Sequence, residues 1–133
     1  MRRILVALVL VIGLAVLANA EDSAPTAETL VGTWRIDLRP TPEAEAYFQE
    51  FVVSAVDGKS FEGTFYGSEV THGKINADWG AVHFAFVTSD GSGEYNSAGV
   101  FDGRTIRGTT HSLGRGFLSV WSGERAGATG QSN

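Results

Sequence analysis

Apolar and polar positions alternate in short runs along most of this chain. In residues 33–39, Trp34, Ile36 and Leu38 alternate with Arg35, Asp37 and Arg39, the period of a strand with one buried and one wetted face. Residues 47–56, 59–66, 70–77, 81–88, 94–101, 105–112 and 117–123 read as seven further strands. The run 47–56 carries apolar residues on both faces, and 70–77 has the weakest pattern. Pro40 and Pro42 stop the first strand, and residues 42–46 predict one helical turn with proline at its first position. Asp57-Gly58 and Asp102-Gly103 mark tight hairpins, because the favoured two-residue turns need positive φ. Asp90-Gly91-Ser92-Gly93 and Gly114-Arg115-Gly116 turn the chain again.

Every link between these strands is short, so consecutive strands pair antiparallel with their neighbours. The fold class expected is all-β: an eight-stranded antiparallel up-and-down β-barrel, whose closure removes exposed edges. Two packed sheets are the structural alternative. The barrel spans residues 30–125, preceded by a flexible lead-in over 21–29 and followed by a disordered Gly- and Ser-containing tail over 126–133.

The alternating pattern begins only after a different kind of segment. Arg2 and Arg3 precede an unbroken apolar run over residues 4–17, and Ala18-Asn19-Ala20 is a small-x-small cleavage site. This is the pattern of a secretory signal peptide cut after Ala20. The run is short of the roughly 20 apolar residues that a membrane span needs. The expected location is therefore periplasmic or secreted, with no stable membrane association after cleavage. Cleavage removes Arg2 and Arg3 and takes the net charge from −5 to −7. So acidic a surface argues against nucleic acid as a partner, since that demands a Lys/Arg stripe. The 133 residues include no Cys, so no disulfide braces the fold, and thiol chemistry and thiolate zinc sites are excluded. No face is apolar enough to fix an oligomeric state.

Gly32-Thr33-Trp34 heads the first strand, and Arg125 follows the last. In both respects the chain resembles the calycins, the lipocalin-like and avidin-like barrels. Gly32-Thr33-Trp34 matches the Gly-x-Trp that opens their first strand. The resemblance implies that Arg125 packs across Trp34 to close the barrel floor. The run from Phe51 to Phe65 looks like the second and third strands of an avidin. Avidins place polar residues on inward positions that correspond here to Ile36, Phe65 and Gly67. These cannot bond a ureido oxygen, so the resemblance implies the scaffold and not a biotin site.

The interior of such a barrel is the default ligand site. Trp34, Ile36 and Leu38 share a face, as do Phe61 with Phe65, Phe84 with Phe86, and Phe117 with Trp121. Tyr95 and Ser97 share a face with Phe101, and Thr110 and Ser112 with Ile106. A hydroxyl in an apolar cup must find a partner: a ligand, another hydroxyl or a buried water. The candidate ligand-binding set is Trp34, Phe65, Phe84, Phe86, Tyr95, Ser97, Thr110 and Trp121, holding a small, mostly apolar or amphipathic ligand.

His72, His83 and His111 fall on separate strands, with His83 and His111 on the outward face. An inward histidine would suit haem or a metal, but no pair has metal-ligand spacing, and no cofactor is implied. No catalytic set is visible: Gly-x-Ser-x-Gly does not occur, and Gly91-Ser92-Gly93 has no following Lys or helix. The leading expectation is a small-ligand-binding protein. Its rivals are an interaction module, such as a periplasmic protease inhibitor acting through residues 21–28, and a small barrel enzyme of cyclase or isomerase type.

Overall fold

A computed structural model describes residues 23–127. The expected signal segment, its cleavage site and most of the C-terminal tail lie outside the described residues. The elements are β1 (Gly32–Asp37), β2 (Phe48–Asp57), β3 (Ser60–Phe65), β4 (Ser68–Glu69), β5 (Thr71–Asn76), β6 (Val82–Asp90), β7 (Gly93–Phe101), β8 (Thr105–Ser112) and β9 (Phe117–Arg125). Short 3-10 turns cover Ala27–Leu30 and Leu113–Arg115.

All pairings are antiparallel. The order β2-β1-β9-β8-β7-β6-β5-β3 closes on itself through β2–β3, so eight strands form a ring and the two-residue β4 hangs on β3. Closure leaves no long edge for another chain to pair with. The seam between β3 and β5 is the thinnest: one register pair, Ser60↔Lys74, is supplemented by Val70 N–H to the Gly63 carbonyl (2.9 Å) and Ile75 N–H to the Lys59 carbonyl (2.8 Å).

The expected alternation sorts the side chains. Trp34 and Ile36 of β1, Phe61 and Phe65 of β3, Val82, Phe84, Phe86 and Thr88 of β6, and Ile106 and Thr110 of β8 are buried, and their neighbours face outward. On β2 the phase changes. The register shifts between Val53 and Ala55, a bulge at which the Ser54 hydroxyl donates to the Glu62 carbonyl (3.1 Å). Phe51 and Val53 point inward before the bulge, and Val56, opposite Phe61, packs against the core after it. The following turn is also displaced by one residue. Asp57 stays in the ladder opposite Ser60, so the turn residues are Gly58 and Lys59, with Gly58 at φ 58°.

Two other local expectations change. Residues 42–46 make no helix; a single turn closes with Ala44 N–H on the Thr41 carbonyl (3.1 Å). The third strand ends at Phe65, where Tyr66 (φ 53°) and Gly67 (φ 76°) form a two-residue hairpin to β4. Two consecutive positive φ values are what such a hairpin demands, and Tyr66 meets that demand without being glycine.

An aromatic belt fills the middle of the barrel. Phe51 stacks on Phe84 (5.5 Å) and Phe86 (5.2 Å), with Phe61 edge-on to both. Phe65 tilts against Phe86 (5.3 Å) and Trp121 (5.5 Å). Each such ring contributes about 1.5–3 kcal/mol by burial, plus about 0.5–1.5 kcal/mol per well-placed pair. The belt depends on two facing glycines. Ile75, Phe84, Gly99, Gly108 and Trp121 form one row across the sheet. A Cβ at Gly99 would lie 2.5 Å from the Phe84 ring, and one at Gly108 would lie 2.5 Å from the Trp121 ring. The rings occupy the space that side chains at those positions would need.

One end of the barrel is sealed. Trp34 is fully buried, packs edge-on against Phe101 (4.9 Å) and donates its indole N–H to the Leu30 carbonyl (2.9 Å). The Arg125 guanidinium lies 4.3 Å from the Trp34 ring centre and donates to the carbonyls of Val31 (3.0 Å) and Thr29 (2.7 Å). Within the expected lead-in, the turn Ala27–Leu30 is thus part of the plug, and its Leu30 is fully buried.

Candidate functional site

The opposite end of the barrel is open. A cavity of about 550 Å³ lies above the belt. Its floor is Phe65 and Thr110, both buried. Leu38, Ser68, Thr88, Tyr95 and Ser119 line its wall. The rim carries Arg39, Pro40, Tyr47, Tyr66, Asp90, Phe117, Leu118 and Val120. Its origin is geometric: inward positions near this end carry small hydroxyl residues, and Thr88, Ser97, Thr110 and Ser119 occupy levels where a further layer of phenylalanines would have filled the barrel.

Two aromatic pairs stand on opposite sides of the mouth, given the order of strands around the ring. Tyr47 and Tyr66 meet edge-on at 6.0 Å and share a hydrogen bond between their hydroxyls, which raises the Tyr66 pKa above the usual phenol range. Tyr95 and Phe117 meet edge-on at 5.6 Å. Tyr47, Tyr66 and Phe117 are each more than two-fifths exposed.

The charges at the mouth are already partnered. Arg39 pairs with Asp37 at 2.6 Å, and Asp37 also accepts the backbone N–H groups of Arg39 (3.0 Å) and Tyr47 (3.2 Å). The Arg39 side chain, foremost, holds the Asp37 carboxyl down at about 2. Arg115 stacks on Tyr95 (4.4 Å) and donates to the Ser112 hydroxyl (2.8 Å), the Glu94 carbonyl (2.6 Å) and the Tyr95 hydroxyl (3.4 Å). Asp90 is kept below the usual carboxylate range, first by the Ser92 N–H and further by Tyr95 and Arg115.

Beneath the floor a small polar network is internally complete. The Trp121 indole N–H donates to the Thr110 hydroxyl (2.9 Å), which also bonds the Ser97 hydroxyl (2.7 Å). Among the described residues no buried side-chain polar atom lacks a partner.

Of the expected binding residues, Phe65, Tyr95 and Thr110 line the cavity. Phe84, Phe86 and Trp121 lie in the belt below it, and Ser97 is buried beside Thr110, its partner on the neighbouring strand. Trp34 is sealed in the plug at the other end, beyond the belt. Sequence reasoning did not single out Tyr47, Tyr66, Thr88 or Ser119. The adjacent Gly67 is the one signal that marks Tyr66 as a turn residue. His72 and His83 are exposed, His111 is half-buried, and none lines the cavity. Among the described residues no group of three or more His, Cys, Asp or Glu could hold a metal ion.

A second depression, about 670 Å³, runs along the outer wall between Lys74 and Val120, over the small side chains Ala85, Ala98 and Thr109. It is larger but lies open along the sheet. The cup encloses its contents and converges hydroxyls on them, which is the usual build of a small-molecule site. Compared with known proteins, the chain matches no family model, no curated protein and no solved structure.

Proposed function

We propose that this protein is a periplasmic or secreted carrier that holds a small, mostly apolar ligand in the open end of a calycin-like barrel. The observation that carries this reading is the 550 Å³ cup with an aromatic floor and rim and a hydroxyl-bearing wall. The calycin-like part of the reading is supported by Gly32-Thr33-Trp34 at the head of β1 and by Arg125 lying across Trp34. The extracytoplasmic part rests on the signal-like residues 1–20. Tyr47, Tyr66, Phe65 and Phe117 would hold the apolar body, while Ser68, Thr88, Thr110 and Ser119 would orient polar groups.

Native mass spectrometry of the mature protein, purified gently from its source, tests this. The expected result is added mass that is absent in Ser119→Phe, which fills the cup from its wall, with the fold of that variant checked by circular dichroism. A bare protein that gains no mass when incubated with an organic extract of the same cells overturns the reading.

A further inference from the structure

The two aromatic pairs stand on opposite sides of the mouth, and Tyr47, Tyr66, Tyr95 and Phe117 all line the cup, so a flat ring held there has aromatic faces and edges to meet. Such ring contacts are favourable in offset or edge-on geometry. The wall offers neutral hydroxyls. Of the two cations at the mouth, Arg39 has its charge paired by Asp37, and Arg115 is held by the Ser112 hydroxyl, the Glu94 carbonyl and the Tyr95 ring and hydroxyl. The loop that forms the Arg39 side of the rim also carries Glu43 and Glu45, both exposed. A carboxylate entering the cup would leave water, meet an Arg39 whose charge Asp37 already pairs, and approach Asp90. Burying a charge without a dedicated partner is unfavourable.

Resting on the reading of the open end as a ligand cup, we infer that this cup takes an uncharged planar ring compound and discriminates against the same ring bearing a carboxylate. The discrimination is set by the Asp37–Arg39 pair. Asp37 occupies the guanidinium that would otherwise stand at the rim as an anion receptor.

The test is a matched pair, 2-naphthol and 2-naphthoate, titrated at neutral pH into the mature protein and followed by calorimetry and by tryptophan fluorescence. The naphthol is expected to bind at least about tenfold more tightly, a difference of about 1.4 kcal/mol. In Asp37→Asn, where the amide oxygen can still accept the N–H groups of Arg39 and Tyr47, naphthoate affinity is expected to rise and naphthol affinity to stay level. Arg39→Gln, which deletes the cation, is expected to show no such gain. Naphthoate binding as well as naphthol to the native protein overturns the inference and leaves the cup reading standing. An unchanged ratio in Asp37→Asn, with the fold intact, removes the role given to the ion pair. Binding of neither compound at millimolar concentration overturns the cup reading and the inference with it.

Discussion

Replacing Thr110 by valine keeps the shape of the side chain and removes its hydroxyl. That oxygen accepts from the Trp121 indole at 2.9 Å and bonds the Ser97 hydroxyl at 2.7 Å, and Trp121, Ser97 and Thr110 are all at most 7% exposed. Thr110→Val therefore leaves two buried polar groups without their partner. An orphaned buried group costs about 1–3 kcal/mol. Because Thr110 faces the cup, a water can reach part of the vacated site, so the expected loss is about 2–4 kcal/mol rather than the full pair of penalties. Ser97→Ala is different. It removes one partner of Thr110 but leaves the indole bond in place, so about 0.5–1.5 kcal/mol is expected. In the double variant the Ser97 hydroxyl can no longer be orphaned, so it should be no less stable than Thr110→Val alone. Urea unfolding read by far-ultraviolet circular dichroism measures all four proteins, with equal m-values as the condition for comparing them. If Thr110→Val costs no more than Ser97→Ala, or the double variant shows the simple sum, the network does not stabilise the core in the way described.

Three further outcomes are expected. Arg125→Lys loses the fork that reaches two carbonyls and the flat stacking on Trp34, so thermal unfolding should show a loss of about 1–3 kcal/mol; equal stability would mean that the plug holds without it. Gly108→Ala forces a Cβ to within 2.3 Å of the Ala98 carbonyl and 2.5 Å of the Trp121 ring, for a loss of about 1–3 kcal/mol or more. Gly91→Ala, with nothing within 4 Å, should stay within about 0.5 kcal/mol of the parent. The third concerns pH. The Asp37 carboxyl falls from 3.8 to about 2 on folding, so its stabilising contribution is complete above about pH 4 and is lost as pH drops towards about 2. In Asp37→Asn the stability–pH curve should be flatter in that window, and an unchanged slope would rule out the ion pair as its source.

The strands were legible because one face of each is buried: Trp34 with Ile36, and Phe84 with Phe86, give a period of two that solvent and core read alike. Where both faces are apolar, as in Val52, Val53, Ala55 and Val56, the sequence has no phase. The bulge at Ser54 and the one-residue displacement of the Gly58-Lys59 turn were therefore hidden. Tyr66 conceals the following turn because its residue type disfavours the positive φ it adopts. The cup was harder to read than the barrel for a separate reason. Alternation tells which side chains point inward, but their depth along the axis depends on the stagger between strands. Trp34 in the plug, Phe84 in the belt and Phe65 at the cup floor carry the same inward pattern, yet only Phe65 lines the cavity.

That layering separates the sealed end of the barrel from its open end. The plug of Trp34, Leu30 and Arg125 lies beyond a belt of stacked rings, so a ligand in the cup cannot touch it, and changes there should act on stability alone. In the proposed reading, selection would belong to the rim, where Asp37 pairs Arg39 and the rings of Tyr47, Tyr66 and Phe117 stay exposed. The belt and the cup are joined by a polar contact in the floor, where the Trp121 indole in the belt donates to the Thr110 hydroxyl, which lines the cup. A ligand that bonds Thr110 must compete with, or polarise, the acceptor of that indole. Trp121 emission should therefore shift when a hydroxyl-bearing ligand binds. It should stay still for an apolar ligand of equal affinity that rests on Phe65, because no group of that ligand can alter the indole's hydrogen bond.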